Sequence, residues 1–154
     1  MPQISLHSPL GSLTLTEEDG AIVALDWGRG RDQEETPLLR AAADWLDRYF
    51  DGEAEPFDLP LRPFGSPYRQ QVWTALRSIP PGDVQTYGAV ARTAGGSARS
   101  VGGAVGANPI PIIIPCHRVV AADGIGGYSG EGGVEHKQFL LHLERLSKMP
   151  VEAG

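Results

Sequence analysis

Hydrophobic and polar positions alternate through the first part of the chain in the pattern of an antiparallel sheet. The alternation has a period of two in residues 4–7 and again in residues 12–16, with Pro9-Leu10-Gly11 between them. This arrangement predicts two strands joined as a hairpin. The stretch from Ala21 to Trp27 predicts a third strand, which follows the turn signal Asp19-Gly20.

A helix is predicted from Pro37 to Phe50, where apolar residues recur at helical spacing. Thr36 is placed to cap this helix, Pro37 suits its first turn, and Gly52 is suited to end it. Residues 53–67 are rich in proline and acidic residues and show no periodicity. We therefore expect this segment to link the first part of the chain to a second part.

The second part begins with a predicted helix that is capped by Ser66 and ends at Pro80-Pro81-Gly82. Two shorter helices follow, over residues 87–94 and 97–107, and Gly95-Gly96 separates them. A helix, a turn that contains glycine and a second helix are typical of a helix-turn-helix.

An apolar segment from Ile110 to Val120 is rich in β-branched residues and interrupted by prolines, so we expect it to be buried and stiff. After a glycine-rich loop at 124–133, a last helix is predicted, with its inner side formed by Phe139, Leu140, Leu143 and Leu146. The fold class that follows is α+β. Residues 1–61 form a small N-terminal domain of β-sheet plus helix, and residues 62–154 form a mainly helical C-terminal domain with the helix-turn-helix.

Charge is distributed unevenly in the 154-residue chain, whose net charge is −6. Residues 1–61 hold 13 acidic side chains and 4 arginines, whereas residues 62–154 hold 9 lysines and arginines and 6 acidic side chains. A basic C-terminal part is compatible with DNA binding. Solvated faces that differ without functional meaning explain the asymmetry equally well.

Composition narrows the location of the protein. The run at 110–120 is too short and too polar to cross a bilayer, and the start of the chain lacks the basic and apolar regions of a secretory signal. The single cysteine excludes an internal disulfide and a zinc cage of cysteines. We expect a cytoplasmic protein without a membrane segment, in which Cys116 stays reduced.

Cys116 and His117 are the candidate reactive groups. A thiolate is the nucleophilic form of cysteine, and His117 or Arg118 could favour it by withdrawing the thiol proton. Neighbours in an extended chain point to opposite sides, so a turn or a water molecule would have to connect Cys116 to His117. The alternative is a buried cysteine that acts as a small hydrophobic residue beside a hydrogen-bonded histidine.

The helix predicted at 97–107 is unusually rich in glycine. Gly102, Gly103 and Gly106 each cost roughly 1 kcal/mol of helix stability relative to alanine. Such a slim helix can approach another backbone closely, and with Arg99 as its long charged side chain it could lie in the minor groove of DNA. Close packing against a neighbouring helix of the same protein is the competing explanation.

Several motifs in one order give the chain its resemblance to a known family. They are Thr86-Tyr87-Gly88, the stretch from Ala98 to Ala104, Asn108-Pro109, and Pro115-Cys116-His117-Arg118-Val119. From about residue 66 to residue 146 the chain resembles the O6-alkylguanine-DNA alkyltransferases. The likeness extends more faintly into residues 1–61.

The resemblance implies a single-turnover enzyme of DNA repair. Such a protein transfers an alkyl group irreversibly from O6 of a flipped guanine, and also from O4-alkylthymine, to its cysteine, here Cys116. His117 would take the thiol proton, Glu144 would orient His117, and Asn108 would tie the helix-turn-helix to the segment that carries the cysteine. Together these four form the implied catalytic set.

A second implied set contacts substrate or DNA and comprises Tyr87, Arg99, Val105, Arg118, Val119, Tyr128 and Ser129. Arg99 would fill the gap left by the flipped nucleotide, and Tyr87 would crowd the neighbouring phosphate and bind the purine. The carbonyls of Cys116 and Val119 would read the guanine amino group, and Ser129 would donate a hydrogen bond toward O6. Val105 and Tyr128 would form walls of the pocket, and Arg118 would contact substrate or DNA.

The resemblance further implies a monomer that binds double-stranded DNA containing O6-alkylguanine through the minor groove. We expect no cofactor and no metal, since the zinc of some relatives is bound by cysteines that the N-terminal part lacks.

Two other functions are compatible with the sequence. One is a protein that binds the lesion without transferring the alkyl group. In related proteins of that kind another residue, commonly tryptophan, replaces the cysteine of the motif. The other is a Cys-His hydrolase that turns over.

Overall fold

The structure is a computed structural model that describes residues 1–31, 33–53, 55–124 and 133–148, with the side chains of 146–148 left undescribed. Its first three strands are β1 (Gln3–Ser8), β2 (Gly11–Glu18) and β3 (Ala21–Trp27), and they form an antiparallel sheet in the order β1-β2-β3. The register pairs Ile4 with Leu15 and Leu15 with Leu25. Hydrophobic side chains therefore align on one face of the sheet, as the alternation predicts.

Helix α1 (Pro37–Phe50) covers that face of the sheet. The Thr36 hydroxyl accepts a hydrogen bond from the Leu39 amide at 3.0 Å and donates one to Glu17 of β2 at 2.6 Å. One side chain thus caps the helix and ties it to the sheet. The predicted strands, helix and cap of the N-terminal part are all confirmed.

The linking segment is more firmly attached than its composition suggests. Leu61 forms a parallel bridge with Ile22, and backbone hydrogen bonds join Ile22 to Pro60 and to Arg62 on either side. Phe57 packs edge-on against Trp45 of α1, with their ring centroids 5.1 Å apart. This connection therefore extends the sheet by one short pairing rather than leaving the two parts loosely joined.

Three helices form the centre of the C-terminal part: α2 (Pro67–Arg77), α3 (Tyr87–Ala94) and α4 (Ala98–Gly106). Gly95 and Gly96 both have positive φ in the turn between α3 and α4, a conformation that glycine adopts without strain. Trp73 of α2 is buried, and its indole nitrogen donates a hydrogen bond to the Ala104 carbonyl of α4 at 2.8 Å. The predicted helix-turn-helix is present.

A second, parallel pairing joins β4 (Gln85–Thr86) to β5 (Val119–Val120). Strand β4 leads directly into Tyr87 at the start of α3, and β5 follows the turn that carries Cys116. This short ladder therefore brings the start of the helix-turn-helix to the candidate active site. One hydrophobic core includes residues of both parts of the chain, and the predicted α+β fold class is confirmed.

The last helix, α5 (Gly133–Lys148), has an inner face that agrees only in part with the predicted one. Its buried residues are Lys137, Leu140, Leu141 and Glu144, which recur at helical spacing. Phe139 is 37% exposed, so its predicted inner position is wrong, while Leu140 is buried and Leu143 is half-buried. The side chain of Leu146 lies outside the described residues. The buried side of α5 therefore includes two charged residues, Lys137 and Glu144, and Phe139 lies at the edge of that side.

Candidate active site

Cys116 opens a short 3-10 turn, Cys116–Arg118, and is 2% exposed. The dipeptide Cys116-His117 therefore lies in a turn and not in an extended stretch of chain. Just upstream, Ile112 has a φ of 72°, and the Ile113 amide bonds the Pro111 carbonyl at 2.8 Å. A β-branched residue in this region costs about 1–3 kcal/mol, so the surrounding packing must enforce the conformation.

Asn108 holds this strained segment from the end of α4. Its side-chain amide donates a hydrogen bond to the Ile114 carbonyl at 2.9 Å, and its oxygen accepts one from the Ile110 amide at 3.0 Å. The structure therefore places Asn108 between the helix-turn-helix and the segment that carries Cys116, where the resemblance implies it.

A buried network of charged side chains lies behind the cysteine. The Nε2 atom of His117 is 2.6 Å from Oε2 of Glu144, and both side chains are essentially inaccessible to solvent. Arg118 donates from Nε to Oε1 of Glu144 and from Nη2 to Oε2, both at 2.9 Å. Tyr49 adds a fourth hydrogen bond, from its hydroxyl to Oε2 of Glu144 at 2.6 Å. The carboxylate is thus held on both oxygens.

Electrostatics fix the protonation states in this network. Burial alone would raise the pKa of Glu144, but hydrogen bonds from His117 and Arg118 outweigh it, together with the positive charge of Arg118 and, at the low pH where the carboxyl titrates, of His117. The pKa is lowered to about 2. Burial lowers the pKa of His117, and its contact with Glu144 only partly opposes this. At neutral pH, Glu144 is therefore ionised and His117 is neutral.

The neutral imidazole has a defined tautomer. Because Nε2 faces a carboxylate, it carries the proton and donates it to Glu144. The other nitrogen, Nδ1, is buried and has no hydrogen-bond partner among the described residues. Because no group of the described residues bonds Nδ1, its lone pair can accept a proton from Cys116 through an intervening water molecule.

Two further groups lie close enough to Cys116 to interact with its charge, Tyr87 and Lys137. Burial raises the pKa of Tyr87, and a negative charge on Cys116 would raise it further. Burial lowers the pKa of Lys137, which donates a hydrogen bond from Nζ to the Val119 carbonyl at 2.7 Å. The sequence prediction includes Tyr87 but misses Lys137, because a lysine within a helix is normally read as solvent-exposed.

The predicted contact of Arg118 with DNA needs correction. The side chain is 7% exposed, and Nη1 donates to the Ile79 carbonyl at 2.6 Å, while Nε and Nη2 bond Glu144. All three nitrogens are therefore engaged inside the protein. The guanidinium supports the carboxylate and is not presented to a nucleic acid.

Arg99 lies on the outer face of α4 together with the three glycines. The spacing of Arg99, Gly102, Gly103 and Gly106 places them on one side of the helix, and a Cβ atom added to any of these glycines would meet nothing within 4 Å. Val101, Ala104 and Val105 are buried on the opposite side. The glycines therefore do not serve packing against a neighbouring helix, and the slim face is open to an external partner.

The remaining residues of the implied substrate set are distributed as follows. Val105 is buried at 6% exposure, and the carbonyls of Cys116 and Val119 already accept hydrogen bonds from the Val119 amide and Lys137. A carbonyl oxygen can accept two hydrogen bonds. Tyr128 and Ser129 lie outside the described residues.

Within the described part of the chain, histidine, cysteine and acidic side chains form no group placed to hold a metal ion. The helices of that part include none that is both long and apolar enough to cross a membrane.

Comparison with known proteins identifies two matching regions. The ribonuclease-like domain of 6-O-methylguanine DNA methyltransferase matches residues 3–63, and the DNA binding domain of the same family matches residues 67–146. Together the two regions span most of the chain.

Individual relatives agree with this match. The methylated-DNA--protein-cysteine methyltransferase of Haemophilus influenzae is 39% identical over 151 residues, covering 90% of this chain and 83% of that protein. The protein of the same name from Metallosphaera sedula is 42% identical over 147 residues, which cover 93% of this chain and 93% of that protein. The structure of Mycobacterium tuberculosis OGT in complex with DNA is 38% identical, with a TM-score of 0.85 over 96% of this chain and 94% of that one. The chain therefore belongs to the 6-O-methylguanine DNA methyltransferase family.

Proposed function

We propose that the protein repairs DNA by moving an alkyl group from O6 of a guanine to Cys116, once per molecule. The observation that carries this proposal is the relay behind the cysteine: a neutral His117 whose Nε2 is fixed by Glu144 and whose Nδ1 is available as a base. A histidine with a purely structural role in the core, beside an unreactive cysteine, would have hydrogen-bond partners at both ring nitrogens.

The reaction is a one-step substitution at the alkyl carbon. His117 takes the thiol proton, and the sulfur of Cys116 forms a bond to carbon while the bond from carbon to O6 breaks. The electron pair of that bond leaves with the guanine, which regains a proton to restore the normal base. Because the product is a thioether without an activated carbonyl, water cannot reverse the step. The protein is therefore consumed stoichiometrically.

The surroundings of the thiol suit a developing negative charge on sulfur. Lys137 and Tyr87 both interact with Cys116, one as a buried cation and the other through a hydroxyl at the start of α3. A cation near a thiol favours the thiolate. We propose that the hydroxyl of Tyr87 hydrogen-bonds the purine that enters beside the sulfur.

DNA as the partner is supported by the DNA binding domain match and by the solved complex of a relative with DNA. We further propose that the open glycine face of α4 enters the minor groove and that Arg99 replaces the guanine in the stack. A buried cysteine cannot reach a carbon inside a duplex, so the base must leave the stack at a cost of a few kcal/mol. An inserted side chain offsets part of that cost.

We also propose that the protein works as a monomer, in the cytoplasm. One thiol, one base and one helix-turn-helix from a single chain complete the arrangement described above, so the reaction requires no second copy. The cytoplasm is reducing and keeps the only cysteine of the chain available.

A stoichiometric titration tests the proposal. The protein is mixed with increasing duplex DNA that contains O6-methylguanine, and both repaired guanine and methylated protein are quantified. We expect repaired guanine to reach one equivalent per protein and then stop. Binding without any methyl transfer would favour the lesion-binding alternative, and product beyond one equivalent would favour a hydrolase.

A further inference from the structure

Tyr49 connects the N-terminal part of the chain to the relay. It lies near the end of α1, is 3% exposed, and donates its hydroxyl to Oε2 of Glu144 at 2.6 Å. The same oxygen accepts hydrogen bonds from Nε2 of His117 and from Nη2 of Arg118. One carboxylate oxygen therefore serves three donors, and one of these comes from the sheet-and-helix part.

This contact is one of several between the N-terminal part and the frame of the active site. The Leu25 amide of β3 bonds the Pro109 carbonyl at 3.0 Å, at the start of the segment that leads to Cys116. Trp27 stacks on His136, the residue before Lys137, with ring centroids 5.8 Å apart. The N-terminal part thus contacts the cysteine segment, helix α5 and the carboxylate of the relay.

We propose that Tyr49 is a positioning residue of the active site, which shares Oε2 of Glu144 with His117 and thereby limits how strongly the imidazole binds a proton. The inference deepens the proposed function and rests on it. It gives residues 1–61 a chemical role in the reaction, in addition to their structural one.

Hydrogen bonds to a carboxylate divide its negative charge among their donors. A donor on Oε2 withdraws part of the negative charge that would otherwise stabilise a protonated His117. The other charged groups that face the imidazole are Arg118 and Lys137, and both oppose its protonation. Removing the Tyr49 hydroxyl leaves those two groups in place, so the substitution tests the effect of this one hydrogen bond on His117.

The consequence concerns the state of Cys116 between reactions. A more basic His117 would take the thiol proton in the resting protein and leave a thiolate, the form that oxidants attack. A protein that uses its only cysteine once gains nothing from a thiolate before substrate arrives. Tyr49 therefore keeps the resting pair as thiol and neutral imidazole.

The test compares the Tyr49→Phe variant with the wild type by the ultraviolet absorbance of the thiolate across pH. The absorbance of the matching Cys116→Ser protein is subtracted from each, so that only Cys116 contributes. Tyr68→Phe is the matched control, because its hydroxyl bonds the Gly95 carbonyl and the Ser100 side chain at the helix-turn-helix. No substrate is needed, so the result is independent of whether alkyl transfer occurs.

We expect Tyr49→Phe to raise the thiolate fraction at pH 7 about threefold to tenfold, which corresponds to roughly half a unit to one unit in the pKa of His117. Tyr68→Phe should match the wild type. A folded Tyr49→Phe protein with an unchanged or smaller thiolate fraction overturns the proposal, as does a wild type that is already fully ionised at pH 7.

A second variant covers the case in which Tyr49→Phe does not fold. Site-specific 3-fluorotyrosine at position 49 keeps the ring and makes the hydroxyl a stronger donor. The thiolate fraction should then fall below that of the wild type, and an equal or greater fraction overturns the proposal. The separate mixing experiment with methylated duplex distinguishes failure of this inference from failure of the proposed function.

Discussion

Replacing Glu144 by glutamine removes the one negative charge that holds His117, Arg118 and Tyr49 together. The pKa of this carboxyl group falls from an ordinary value of 4.5 to about 2 in the folded protein. A difference of that size corresponds to a contribution of about 3 kcal/mol to the free energy of unfolding at neutral pH. The usual cost of breaking a buried ion pair by removing one partner, about 3–5 kcal/mol, is a second measure of the same loss, because the interaction with Arg118 is part of the pKa shift.

The pH dependence has a definite sign. Because the pKa of Glu144 is lowered on folding, its stabilisation is fully present above pH 4.5 and is lost as the pH falls toward 2. The difference in stability between wild type and Glu144→Gln should therefore be about 3 kcal/mol at pH 7 and roughly half of that at pH 3.

Urea denaturation followed by tryptophan fluorescence measures this difference. With a slope of about 2 kcal/mol per molar urea, the midpoint of Glu144→Gln should lie about 1.5 M below that of the wild type at pH 7. Glu35→Gln is the matched control. Glu35 pairs with Arg40 at the same 2.6 Å distance, but these side chains are 55% and 52% exposed, so its loss should leave the midpoint unchanged. Equal midpoints for Glu144→Gln and wild type at pH 7, or a gap that stays constant down to pH 3, would refute the reasoning.

The other predictions concern the DNA face and the product. Arg99→Ala should slow repair of duplex DNA but leave the reaction with free O6-benzylguanine unchanged, since the free base needs no flipping; equal losses in the two assays would contradict the role of Arg99. Gly103→Ala should raise the melting temperature, because alanine favours the helix by up to about 1 kcal/mol and its Cβ meets no other atom, and it should weaken binding to duplex DNA in a gel-shift titration. Unchanged affinity would show that the glycine face does not approach DNA. Protein alkylated on Cys116 should melt several degrees lower in calorimetry, more for benzyl than for methyl, because overpacking the buried site costs about 1–3 kcal/mol. An unchanged or raised midpoint for both groups would show that the site accommodates the product without strain.

Local signals in the sequence were sufficient for most of the fold. The cap residues Thr36, Ser66 and Ser97 each precede a helix and accept a hydrogen bond from the backbone three residues on, so these helix starts depend on neighbours in the chain alone. The glycines at 95 and 96 mark the turn of the helix-turn-helix for the same reason. Such features can be predicted because their physical causes span only a few residues.

The interior of the active site could not be predicted in the same way. Burial of its charged side chains depends on hydrogen bonds between residues far apart in the sequence. Glu144 bonds His117 and Arg118, and Lys137 bonds the Val119 carbonyl. Apolar periodicity in α5 therefore points to Phe139, whereas the buried stripe is centred on charged residues. The positive φ of Ile112 likewise has no signal in its residue type, since tertiary packing imposes it against local preference. Tyr49 reaches Glu144 from 95 positions away in sequence, so only the folded structure shows the pair.

Cys116 is tested most directly as the alkyl acceptor by locating the alkyl group after reaction. The protein is incubated with excess duplex DNA that contains O6-methylguanine, and its intact mass and its peptide masses are then determined, with Cys116→Ser as the control. We expect a gain of one methyl group per wild-type molecule, confined to the peptide that contains Cys116, and no gain for Cys116→Ser. A methyl group found on another residue, or transfer by Cys116→Ser at a rate comparable to the wild type, would contradict the assignment of Cys116 as the acceptor.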